Sequence, residues 1–151
     1  MRGRSARTRS RLGSPRRRTE RPPTMSAAVT APEQIRATAQ SYVDALVAGD
    51  LEAVMALYAD DATVEDPVGG GTVHEGADAI RAFYSTVTAL KIEAKVLETR
   101  VCGNDLLFNF EITTHFDGGS KATINVWDLM VHNDQGKVAS MRAYWTPENM
   151  S

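Results

Sequence analysis

An α+β domain, with helices packed on one face of a curved sheet, is the fold class this chain predicts. Two observations carry it. Up to residue 90 the apolar residues recur at three- and four-residue intervals, and beyond it they recur at every second residue. Glycine, proline and Asx-rich turns also separate the periodic segments at the right spacing for helices first and hairpins afterwards.

The first helix is expected from Pro32 to Gly49, with proline in its first turn and glycine at its far end. Ile35, Ala39, Tyr42, Val43 and Leu46 form its apolar stripe, which puts Tyr42 on the buried side. Asp50 can cap a second helix, Leu51 to Tyr58, with Leu51, Val54, Met55 and Tyr58 turned inward. The triplet around Thr63 and Val64 reads as a short strand, and Pro67 to Gly71 is too rich in glycine for regular structure. A third helix runs from Gly76 to about Val87 and buries Ile80, Phe83 and Tyr84. Ile92–Val101 and Leu106–Phe116 then alternate as strands, with Phe108, Phe110 and Ile112 on one face. Asp117-Gly118-Gly119 is a hairpin signal, and Lys121–His132 and Lys137–Trp145 are two further strands joined through Asn133–Gly136. Such a curved sheet, antiparallel or mixed and closed on one side by the three helices, makes a cone whose apolar interior is the natural ligand site.

Composition divides the chain. Residues 1–24 hold nine arginines against one acid, Glu20, out of 17 basic and 19 acidic residues in all; residues 25–151 therefore keep 8 basic and 18 acidic. The arginine-rich stretch has almost no large apolar residue, so it is expected to stay outside the core as a disordered extension. It could serve as an arm for acidic surfaces, resemble a transit peptide, or be a dispensable extension ahead of Met25. Residues 25–151 are expected to form the single domain, and their acidic balance argues against nucleic acid as a partner. No apolar run approaches the ~20 residues that span a bilayer. A single cysteine, Cys102, excludes an internal disulfide framework and fits a reducing cytoplasm. Histidines 74, 115 and 132 lack ligand spacing, so no metal site is expected.

Several residues break the pattern around them. Asp66 precedes Pro67, which keeps its backbone extended at a strand end, between Val64 and Val68. It is either a base held at the edge of an apolar interior or simply the start of a turn. Asp128 shares a face with Ile124, Val126 and Met130 in an otherwise apolar strand, so it must be paired, for example with Arg142 or Lys121, or carry a proton. Tyr42, Tyr58 and Tyr84 are all expected to point inward, where a phenol needs a hydrogen-bond partner. A carboxylate that takes a proton, with a phenol and a neutral acid that donate to an oxyanion, is equipment for abstracting a proton beside a carbonyl.

At this point the chain resembles the ketosteroid isomerases (steroid Δ5-3-ketoisomerases) of the superfamily that includes nuclear transport factor 2 and SnoaL-like proteins. The matching segments are S-Y-V-D-A-L-V-A-G-D-L-E-A-V (41–54), Y-A-D-D-A-T-V-E-D-P-V-G (58–69), A-I-R-A-F-Y (79–84), the strand around Trp127-Asp128 and G-K-V-A-S-M-R-A-Y-W (136–145). The likeness covers residues 30–150 and leaves out the arginine-rich stretch. It implies Asp66 as general base, Tyr42 as main oxyanion donor, Asp128 as a second donor kept protonated, and Tyr84 and Tyr58 as supporting hydroxyls. The neutral acid is a feature for which that family is itself the reference case. It further implies a small apolar ketone, a steroid, as substrate, no cofactor, and a homodimer. Val68, Phe83, Phe110, Ile112, Met130 and Trp145 would line the pocket or simply pack the core. The loop Val68–Gly76 is slightly longer than in close family examples, and Trp127 is larger than the aliphatic residue usual there. Alternation aims Trp127 outward, as a dimer surface would require. Two other readings stay open on the same scaffold: a SnoaL-like polyketide cyclase or epoxide hydrolase, and a non-catalytic binding module for a steroid-like ligand.

Overall fold

The computed structural model describes residues 31–151; the arginine-rich stretch lies outside the described residues. Three helices, α1 (Pro32–Ala48), α2 (Leu51–Met55) and α3 (Gly76–Thr88), accompany six strands. The strands are β1 (Tyr58–Glu65), β2 (His74–Glu75), β3 (Lys91–Cys102), β4 (Asp105–His115), β5 (Lys121–His132) and β6 (Val138–Tyr144), and a 3-10 turn follows at Pro147–Asn149. They form one sheet in the order β2-β1-β6-β5-β4-β3.

Helix α1 stops where its stripe stops. Gly49 takes a left-handed conformation at φ 66°, and its N–H bonds back to the last turn. A Cβ at this position would also lie 2.9 Å from the Thr88 carbonyl at the end of α3, so the close approach of the two helices requires glycine. Asp50 caps α2 as expected, its carboxylate accepting from the Ala53 N–H at 3.0 Å.

One expectation is corrected. Helix α2 ends at Met55, and Tyr58 opens β1. The reason is a distant strand: Val138 donates its N–H to the Leu57 carbonyl at 2.8 Å, and Tyr58 pairs with Val138. The i, i+4 spacing of Val54 and Tyr58 suits a helix and an inward-facing strand residue equally well. The sheet is mixed, in keeping with the expected fold class: β1 lies parallel to β6, with a register shift between Tyr58 and Thr63, beside the antiparallel strands β3 to β6.

The concave face of the sheet, covered by the helices, holds the core. Phe108 and Phe110 from β4, Val126 and Met130 from β5, and Met141 and Ala143 from β6 meet Ile35, Tyr42, Val43 and Leu46 of α1 and Ile80 and Tyr84 of α3. At one end of α1, buried His132 of β5 joins the Thr38 hydroxyl (3.0 Å) and the Asn104 carbonyl (3.2 Å). The convex face carries the other alternation set, where Leu107, Trp127, Leu129 and Tyr144 form an apolar groove. Trp127 is 36% exposed and Tyr144 39%. No helix among the described residues is long and apolar enough to cross a membrane.

Candidate active site

A cavity of about 110 Å³ lies between the helices and the concave face. Tyr42 and Leu46 of α1, Phe83, Tyr84 and Val87 of α3, and Asp66 just past β1 form one side of its wall. Phe110 and Ile112 of β4, Ile124 and Val126 of β5, and Trp145 just past β6 complete it. Most of this surface is apolar, so the few polar atoms that reach it are the chemistry on offer.

Asp66 is placed by the end of β1, where the chain leaves the sheet for the glycine-rich turn. Its Oδ1 accepts a 2.7 Å hydrogen bond from the Trp145 indole N–H. Burial raises its proton affinity above the ordinary aspartate value, while the Trp145 N–H and the charge of His74 pull in the opposite direction. The outcome is a half-buried carboxyl that is more basic than a surface aspartate.

Across the cavity the three tyrosines form one hydrogen-bonded chain. The Tyr84 hydroxyl lies 3.0 Å from that of Tyr42 and 2.5 Å from that of Tyr58. Burial first, and neighbouring phenols and carboxyls after it, push all three well above the usual tyrosine range, so they remain neutral donors. Each hydroxyl has one proton to give. If Tyr42 donates into the cavity, Tyr84 can donate to Tyr42 and Tyr58 to Tyr84, and the chain polarises in one direction. Edge-on contacts with Phe108 and Phe110, at 6.2 and 6.3 Å, hold the Tyr42 ring in place.

Asp128 is 1% exposed, and neither of its carboxylate oxygens has a hydrogen-bond partner among the described residues. The ion pairs open to it from sequence do not form: Arg142 instead holds Glu65 at 3.0 Å. Burial first, then the nearby charge of Asp66, raises Asp128 well above the ordinary aspartate range. Burial without a partner thus favours its neutral, protonated form. In the sheet it pairs with Phe108 of β4 and Ala143 of β6, and Phe108 packs edge-on against the Tyr42 ring.

Of the residues singled out from sequence, Tyr42, Asp66, Tyr84, Phe83, Phe110, Ile112 and Trp145 meet at the cavity. Tyr58 and Asp128 stand behind its wall. Val68 and Met130 are not part of the wall: the Val68 N–H bonds to the Ala143 carbonyl at 2.8 Å, and Met130 is fully buried in the core. Leu46, Val87, Ile124 and Val126 line the cavity although sequence reasoning did not select them. Periodicity places each on an inward face and cannot say which inward residues border empty space. The Trp145–Asp66 bond joins residues 79 apart and left no local signal.

A two-layer α+β cone with a carboxylate, a neutral acid and a phenol chain around an apolar cavity defines a class of small-ligand enzyme or binding scaffold. Residues 39–141 match the SnoaL-like domain family, and the chain belongs to that family. It is 36% identical over 117 residues to a steroid Delta-isomerase of Nocardioides simplex, covering 78% of this chain and 94% of that protein. A Mycobacterium tuberculosis protein solved in complex with estradiol-17beta-hemisuccinate superposes with a TM-score of 0.72 at 27% identity, over 78% of this chain and 98% of that one. The epoxide hydrolase/cyclase-like enzyme SalBIII shares the fold, with a TM-score of 0.73 at 21% identity over 79% of this chain and 95% of that one.

Proposed function

We propose that this protein is a steroid Δ-isomerase that converts 3-oxo-Δ5-steroids to their Δ4 isomers. The observation that carries the reading is the placement of a basic carboxylate, Asp66, and a neutral phenol, Tyr42, on the wall of one apolar cavity. Ionised Asp66 removes a proton from C4, and the electrons move through C3 onto the carbonyl oxygen to give a dienolate. Tyr42, backed by Tyr84 and Tyr58, donates to that oxygen, and protonated Asp128, buried behind the wall, supplies a second donor once the side chains in front of it shift around the bound ligand. Asp66 then returns the same proton to C6. Nothing is consumed, and no cofactor enters. The relative that is named a steroid Delta-isomerase and the neighbour solved with an estradiol derivative support a steroid ligand.

The cavity of about 110 Å³ is lined mostly by apolar side chains, which suit the carbon skeleton of such a ligand. A homodimer belongs to the same reading. A second copy would cover the convex groove of Leu107, Trp127, Leu129 and Tyr144, which otherwise leaves an indole in water.

Mixing the purified protein with 5-androstene-3,17-dione and following ultraviolet absorbance tests the reaction, because only the conjugated product absorbs strongly. A rise that depends on enzyme concentration is expected. A flat trace with protein that still binds the steroid would favour a binding module or a cyclase on the same scaffold.

A further inference from the structure

His74 stands next to the site without a part in the chemistry above. In the β1–β2 ladder it is opposite Val64, so the two side chains share a face, and Val64 is fully buried under α3. Asp66 follows Val64 by two residues, just past the end of β1. On its other side the imidazole stacks on Phe83, with centroids 4.7 Å apart and planes 28° apart. Phe83 is itself part of the cavity wall that Asp66 shares. The ring is therefore fixed behind the wall, near the carboxylate but out of the substrate's space.

The charged and titratable groups around it are few. Asp66, just past β1, is the carboxylate nearest it on the cavity side, while Glu65 alternates to the other face of β1 and is engaged by Arg142 of β6 at 3.0 Å. Glu75 on β2 and Asp78 in the first turn of α3 are exposed. None of the ion pairs among the described residues involves His74. A charge on this imidazole favours the ionised form of Asp66, and no other cationic group is among the causes acting on that carboxyl.

This placement answers a difficulty of the site. Asp66 must be ionised before it can accept a proton, yet burial favours its neutral form. A cation in direct contact would make it a weak base, whereas a cation held behind an aromatic wall shifts the balance by less. We propose that His74 is a positioning residue that keeps the Asp66 carboxylate ionised, acting through space from its stack on Phe83. For its consequence in turnover, the proposal rests on Asp66 being the base of the isomerase reaction.

The test reads Asp66 directly. Carboxyl carbon-13 NMR of aspartate-labelled protein, with Asp66→Asn assigning the signal, follows the titration of this one group. In His74→Gln, and in His74→Phe, which keeps a planar ring on Phe83 without the charge, the midpoint is expected to rise by about 0.5–1 pH unit. In His74→Arg it should stay at the wild-type value or fall below it. An unchanged midpoint in both neutral variants, or an equal rise in His74→Arg, would overturn the proposal in favour of simple packing. The acid limb of kcat/KM for the dione should move in parallel with the NMR midpoint. If the midpoint moves and the limb does not, the charge effect stands and Asp66 is not the base.

Discussion

The concave side of the sheet carries two aspartates whose surroundings differ, one at the end of β1 and one in the middle of β5. Asp66 is half-buried, receives the Trp145 N–H at 2.7 Å and feels the charge of His74. Asp128 is 1% exposed, and neither of its oxygens has a hydrogen-bond partner among the described residues. Both are more basic than a free aspartate, and burial is the first cause in each. The difference is in what opposes burial. One donor, the Trp145 N–H, and the neighbouring His74 counteract it at Asp66, while at Asp128 the charge of Asp66 adds to it. When one proton is available to the pair, it belongs to Asp128. In the proposed reaction, identical side chains would thereby serve as a base and an acid through position alone.

Replacing the two residues in turn breaks this contrast. Asp66→Asn removes the only carboxylate on the cavity wall, and turnover should fall by about 10⁴-fold while steroid affinity is retained; steady-state kinetics and ligand fluorescence titration measure the two. Unchanged isomerisation would sink the mechanism. Asp128→Leu and Tyr42→Phe each remove one donor, and each is expected to lower kcat by about 10²–10³-fold. A negligible effect at either position would place the oxyanion elsewhere.

Stability separates the aspartates further. The folded chain holds a proton on Asp128 that the unfolded chain releases above about pH 4. Rising pH therefore favours unfolding through that window, by up to about 1.4 kcal/mol per pH unit, until Asp128 ionises in the folded state as well. Asp128→Leu should flatten this slope and be relatively more stable at pH 7 than at pH 5, as measured by urea unfolding at the two values. A slope equal to wild type would mean that Asp128 is ionised in the fold.

Smaller effects sharpen the picture of Asp66. Trp145→Phe keeps the ring and deletes the N–H, so Asp66 should bind its proton more tightly and the acid limb of kcat/KM should shift to higher pH. The loss at low pH should be about tenfold, comparable to one hydrogen bond to a charged group. At pH 8 the rate should be close to wild type. On the convex face, Trp127→Glu should dissociate the dimer in analytical ultracentrifugation and leave chemistry per active site nearly unchanged. A wild-type monomer at micromolar concentration would remove the dimer from the reading.

Much of the site was legible because its residues violate local expectation. An aspartate on the apolar face of a strand, an aspartate before proline, and tyrosines within apolar stripes stand out without any coordinates. Tyr58 shows the limit of that legibility. Its inward direction was visible, but its element was not, because pairing with Val138 converts the end of a helical pattern into a strand. Met130 shows another: it lies on the same face as Asp128, yet it is sealed in the core and borders no space.

By itself, the sequence determined where periodicity changes, which faces turn inward, and that Asp50 and Gly49 bound the first two helices, because each depends on neighbours a few residues away. The tertiary structure alone decided the parallel pairing of β1 with β6, the Trp145 N–H on Asp66, the missing partner of Asp128 and the His74–Phe83 stack. These join residues distant in the chain, and their physical content is the distance between groups and the water excluded around them, which periodicity does not encode.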